Sequence, residues 1–224
     1  DPWRRRAWSC VEALAELAER NSNDQLYRLI RDLPYGISGS GGILLALQLL
    51  KRSGMSEAGV LTERLIAQLR PERLLEDEVV DLIGGVTGLI GPLLLAGSSR
   101  SQELALVCGE RLLALQLENG GWPAGATLSQ HKTPLTGFSH GAAGMAAALA
   151  RLAHASGDER FAEGSRRAVG FERSVFDHER GNWPDFRSSS EPKAFMTSWC
   201  HGAPGILLSR AVLVQAGLAD EYLL

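Results

Sequence analysis

The chain has no apolar run of the roughly 18–20 residues that a membrane span needs, so stable membrane insertion is not expected. Its first ten residues, DPWRRRAWSC, contain arginines but no apolar h-region behind them. They do not form a signal peptide, and they read as the interior of a longer chain. Cysteine is scarce: Cys10, Cys108 and Cys200 are odd in number and far apart. That excludes a disulfide framework and favours a reducing cytoplasm. The net charge is −3 with no long basic run, so nothing favours nucleic acid or an anionic membrane surface as a partner. Strand-like alternation is missing and β-branched residues are sparse, which leaves helices to build the fold. Hydrophobic content of 45% supplies a core and argues against disorder.

What is present is a repeat. Gly137–Gly144 (GFSHGAAG) and Ser198–Gly205 (SWCHGAPG) both run from a polar glycine cluster straight into an apolar stretch. Trp122-Pro123 lies 19 residues before Gly141, and Trp183-Pro184 lies 19 before Gly202, so two landmarks recur at one offset of 61 residues. A fixed internal period of this kind means repeat architecture. Two earlier segments share the plan: Gly39–Gly42 before ILLALQLL, and Gly85–Gly88 before LIGPLLLAG. Each is preceded by an amphipathic stretch. Residues 7–20 place Trp8, Val11, Leu14 and Leu17 on one side, and residues 57–69 place Glu63, Arg64 and Gln68 on the polar side. Residues 101–118 enclose Cys108 among apolar neighbours, and residues 158–176 are charged and amphipathic. Breaks fall at Asn21–Asp24, at Asn119–Pro123 and near Arg180–Pro184, and Asp220–Leu224 reads as the start of another segment. The expectation is four units of amphipathic outer helix, loop, glycine motif and buried inner helix. Together they make an all-α fold of the α/α-toroid type, with the motif loops at one end of the bore. The inner stretch ILLALQLL is apolar on nearly every side, as a helix buried all round would be. Four units leave an open arc, however, so apolar faces of ILLALQLL and ILLSRAVLVQ are expected to be exposed where neighbouring units would cover them.

Chemistry concentrates at the motif positions. Cys200 sits where a loop runs into a helix, where a thiol ionises more easily than in a core; a buried cysteine in a tight turn is the plainer alternative. His140 and His201 hold equivalent places, each directly before its Gly-x-x-Gly, and histidine is the usual acid or base near neutral pH. Asp81 stands four residues before Gly85, as a helix cap, a catalytic carboxylate or both. Trp122 and Trp183 read as loop fixtures, His154 as a helix-end residue, and His131 and His178 lack motif support. Zinc needs three or four ligands. Here Cys200 is one and His201 a possible second, so the chain alone does not complete a metal site.

GFSHGAAG, SWCHGAPG, DLIGGVTG around Asp81 and GISGSGG, together spanning about Tyr35 to Gly217, resemble the cyclase domain of lanthipeptide synthetases. The bifunctional class II (LanM-type) enzymes are the nearest group. The resemblance implies a toroid of seven hairpins, of which residues 1–224 carry about four as a partial cyclase domain. It implies a central zinc with Cys200 as one ligand and the others beyond Leu224, His140 as acid or base, and Asp81 near the active site. The implied reaction adds a cysteine thiolate to a dehydroalanine or dehydrobutyrine of a dehydrated precursor peptide, forming a thioether. A dehydratase domain N-terminal in the same chain goes with that class, and residues 1–224 alone are expected to bind zinc poorly and not to cyclise. Met196 stands where the stand-alone cyclases carry an arginine four residues before the Trp-Cys cysteine; this favours the bifunctional class and leaves the replacing cation open. The rival readings are a non-catalytic toroid binding glutathione, another thiol or a protein, and an α/α-toroid glycosidase or terpene-type cyclase. The last needs acidic pairs or Asp-rich motifs, and only Asp81 stands at a motif position.

Overall fold

A computed structural model describes residues 2–20, 30–124, 134–187 and 193–218. The Asn21–Asp24 break, His131, the segment from Asp220 and the side chains of Leu14 and Leu17 lie outside the described residues. Among those described the chain is mostly helical, in the order α1 (Pro2–Arg20), α2 (Ser40–Arg52), α3 (Ser56–Ile66), α4 (Pro71–Leu75), α5 (Thr87–Ala96), α6 (Ser99–Leu115), α7 (Ala142–Ser156), α8 (Glu159–Ser174), β1 (Pro184–Asp185), β2 (Ala194–Phe195) and α9 (Ala203–Gln215).

Local chemistry sets the boundaries. The Ser98 side chain accepts from Ser101 N at the start of α6, and Asp158 accepts from Arg160 N at the start of α8. Each satisfies one of the amides that a first helical turn leaves unpaired. Gly97 and Gly157 end α5 and α7 in the left-handed conformation that glycine reaches without a Cβ penalty. The inner helices α2, α5, α7 and α9 pack in chain order, and α3, α6 and α8 back α2, α5 and α7 from outside. The main core runs from Leu44 through Leu89, Leu104 and Leu149 to Phe161 and Leu213. A second cluster joins Val11 of α1 to Leu47, Met55, Ala58 and Leu61.

Burial differs along this arc. The middle inner helices are enclosed, α7 on nearly all sides. At the two ends Leu45 and Leu49 of α2, and Leu207, Leu208 and Val214 of α9, are exposed. This is the exposure expected of an open arc, since among the described residues each end helix has an inner neighbour on one flank only. The all-round burial that the ILLALQLL pattern suggested does not hold for α2. Gln68, placed on a polar face from the sequence, is buried just past the end of α3. The antiparallel pair β1–β2, with Pro184 opposite Phe195, is a small addition to the helical plan.

The two Trp-Pro pairs do the same work in successive units. Trp122 Nε1 donates to Leu112 O, and Trp183 Nε1 donates to Glu172 O, each at 2.7 Å. Each indole thus donates to a carbonyl in the last turn of an outer helix, where the regular i+4 partners run out. The motif glycines are likewise equivalent. A Cβ at Gly141 or Gly144 would fall on the carbonyl of Thr136 or Phe138, and one at Gly202 or Gly205 on that of Met196 or Trp199. Backbone passes too close there for any side chain.

Candidate active site

The motif loops are stitched to one another by backbone hydrogen bonds. Ile37 N donates to Leu82 O, Leu82 N to Ser139 O at 3.1 Å, and Phe138 N to Cys200 O at 3.0 Å. Each loop thereby docks on the loop of the next unit, and all four line one rim of the arc.

This stitching brings four of the sequence candidates together: Asp81, His140, Cys200 and His201. His140 Nδ1 lies 2.6 Å from Asp81 Oδ2. A carboxylate only accepts, so Nδ1 carries the proton and Nε2 is the basic nitrogen. Asp81 is itself fixed, with Oδ1 accepting from Gly84 N at 2.7 Å. It therefore shapes the turn before α5 rather than capping the helix, whose N-cap position is Val86. Asp81 is buried and His140 is one-fifth exposed, so the imidazole is the member of the pair that meets solvent. The Cys200 carbonyl takes the amides of Phe138 and Ser139, which sets Cys200, a half-buried residue, beside the His140 loop.

His201 stacks on His140 with ring centroids 6.0 Å apart. Its pKa is pushed down, first by burial and then by the positive charges of Arg187 and His140; Asp185 and a hydrogen bond with the Thr136 backbone pull the other way. His201 is therefore a neutral imidazole at neutral pH.

Sequence reasoning missed two further charged pairs. Glu172 and Arg210 are buried together, 3.0 Å apart, and Glu172 Oε1 also accepts from Gly137 N at 3.3 Å in the His140 loop. Burial pushes the Glu172 carboxyl up, against the pull of Arg210 and of the Gly137 amide. The second pair is Asp185 and Arg187, in the β1–β2 hairpin. Arg187 Nη2 lies 2.6 Å from Asp185 Oδ2 and 3.1 Å from Met196 Sδ, so a guanidinium stands beside the position where the resemblance left a cation open. Neither pair sits in a glycine motif, and no spacing in the sequence announces them. Of the remaining histidines, His154 lies in the last turn of α7 and His178 packs edge-on against Phe176.

The described residues do not fit a zinc ion by themselves. No group of three His, Cys, Asp or Glu among them could hold one. Asp81 is already committed to Gly84 and His140.

The family profile described as lanthionine synthetase C-like protein matches residues 2–224. The chain belongs to the lanthionine synthetase C-like family. Among solved structures it is similar to a nisin cyclase, with a TM-score of 0.69 and 20% identity over 85% of this chain. That likeness supports the helical toroid fold of this lanthionine synthetase C-like chain, which spans 56% of the nisin cyclase chain. No curated protein sequence matches it. No helix among the described residues is long and apolar enough to cross a membrane.

Proposed function

We propose that this chain is the larger part of a lanthionine cyclase domain. The observation that carries the reading is the Asp81–His140 pair at 2.6 Å on the rim, with the imidazole partly open to solvent and Cys200 on the adjoining loop. In this reading His140 Nε2 takes the proton from the thiol of a peptide cysteine, and Asp81 steadies the imidazolium through Nδ1. The sulfur adds to the β-carbon of a dehydroalanine or dehydrobutyrine, and the π pair moves toward the carbonyl as an enolate. His140 returns the proton to the α-carbon. His201, held neutral by burial, keeps a second positive charge away from His140. A toroid that only binds a thiol or a protein has no use for this proton relay, so the pair favours the cyclase over that reading.

The substrate is a dehydrated precursor peptide, and Met196 in place of arginine favours the bifunctional class, with a dehydratase domain in the same cytoplasmic protein. Cys200 contributes one ligand to a zinc ion whose other donors lie outside the described residues; bound there, zinc would hold the substrate cysteine as thiolate. The test incubates the full-length protein with a peptide carrying one dehydroalanine and one cysteine, and counts free thiols by alkylation and mass spectrometry. Thiol loss faster than in buffer supports the reading. A thiol that persists while the peptide binds sinks it.

A further inference from the structure

The Asp185–Arg187 pair has a geometry that the proposed reaction leaves unused. Arg187 Nε lies 3.0 Å from Asp185 Oδ1 and 3.1 Å from Oδ2, Nη2 lies 2.6 Å from Oδ2, and the Arg187 amide donates to Oδ1 at 3.1 Å. One carboxylate therefore fixes both the side chain and the backbone of the arginine. Asp185 is nearly buried while the Arg187 side chain stays about one-third exposed. An ion pair that served only the surface would not need its carboxylate inside.

The hairpin that carries the pair is pinned to both halves of the site. Thr136 Oγ1, in the His140 loop, donates to Pro184 O at 2.9 Å. Asn182 Oδ1 accepts from Ala203 N at 2.9 Å, and Asn182 Nδ2 donates to Met196 O at 3.0 Å, on the two sides of Cys200. The guanidinium itself lies 3.1 Å from the Sδ of Met196, four residues before Cys200.

The chemistry of the addition gives such a cation a task. When the C–S bond forms, the negative charge leaves sulfur and collects on the carbonyl oxygen of the dehydro residue. His140 delivers the proton at the α-carbon and cannot also neutralise that oxygen. A fixed donor aimed at a developing oxyanion is among the strongest contributions a site can make.

We propose that Arg187, held by Asp185, binds the carbonyl oxygen of the dehydroalanine or dehydrobutyrine and stabilises the enolate. This rests on the cyclase reading. The electron count closes without a further reactant. One C–S bond forms, the C=C pair passes through the enolate, and the thiol proton ends on the α-carbon.

The experiment compares the full-length protein with Arg187→Gln, Arg187→Lys and Asp185→Asn on the one-dehydroalanine, one-cysteine peptide. It measures kcat and KM by thiol alkylation, and folding by thermal melting. Arg187→Gln is expected to lower kcat by about 10²-fold, the low end for loss of an oxyanion donor, since the arginine is partly exposed. KM should move less than about threefold, because the contact strengthens only in the transition state. Arg187→Lys keeps the charge but not the fork, and Asp185→Asn loosens the guanidinium, so both should fall between. A folded Arg187→Gln protein with wild-type kcat overturns the assignment. So does a loss of kcat that only tracks a raised KM or a lowered melting temperature across the three variants. A wild-type protein that never closes the ring sinks the cyclase reading itself, whereas an active wild type with an indifferent Arg187 sinks this inference alone.

Discussion

Removing the charge of Glu172 should be costly, and the structure says by how much. Glu172 is fully buried and Arg210 is 6% exposed. In Glu172→Gln the guanidinium loses its counter-ion in place. Leaving one partner of a buried pair unmatched costs about 3–5 kcal/mol. Among the described residues Arg210 Nη1 already lacks a partner, so none of them stands in reserve to receive the stranded charge. The Gly137 amide, at 3.3 Å from Oε1, can keep the glutamine oxygen as acceptor, so its loss adds little. A value near 3 kcal/mol is therefore expected, read as a lower urea midpoint at unchanged slope. The double variant Glu172→Gln with Arg210→Met removes the stranded charge and should recover at least about half of the loss, as when buried ion pairs are replaced by apolar groups. A Glu172→Gln protein within about 1 kcal/mol of wild type, or a double variant no better than the single one, would refute the argument.

Two other expectations follow from named groups. Asp77 titrates at about 6 instead of 3.8, chiefly because of burial; the amides of Val79 and Val86 and the charge of Arg111 pull it down, and Asp81 pushes it up. The folded chain thus holds this proton more firmly than the unfolded chain. Its contribution to stability is complete below pH about 4 and is lost as pH rises through about 6. After discounting for partial exposure, the gap in unfolding free energy between wild type and Asp77→Asn should shift by about 1–2 kcal/mol between pH 4 and pH 7; a gap that stays constant contradicts it. For zinc, residues 1–224 alone should retain well under one equivalent after dialysis, while the full-length protein loses its zinc on Cys200→Ala and keeps it on His140→Ala. One firmly held zinc per chain in residues 1–224 would mean that a complete site exists among groups described here as structural.

The parts of this molecule that repeat were legible in the sequence. Gly141 and Gly202 announce themselves because backbone presses on backbone at both, and Trp122 and Trp183 because each indole donates to a carbonyl in the last turn of an outer helix. From their offset the inner and outer helices and the shared rim could be placed. The remainder depends on contacts between segments that no local pattern encodes. Glu172 meets Arg210 from 38 positions away, on a different helix. The β1 and β2 strands are two residues each, too short to show an alternating pattern. Arg187 enters the site because of that hairpin, so its place could not be read from its own neighbours. Gln68 was misjudged for a related reason: its burial depends on which neighbour stands alongside, not on its own polarity.

The most direct test of the central claim is the single-turnover rate of ring closure by full-length His140→Ala and Asp81→Asn on the one-dehydroalanine, one-cysteine peptide, with folding checked by circular dichroism. His140→Ala should lose at least about 10²-fold, the scale of one positioned proton-transfer group. Asp81→Asn should lose less, because it disturbs the orientation of the imidazole at Nδ1 and leaves Nε2 in place. Wild-type closure rates in a folded His140→Ala protein would contradict the account.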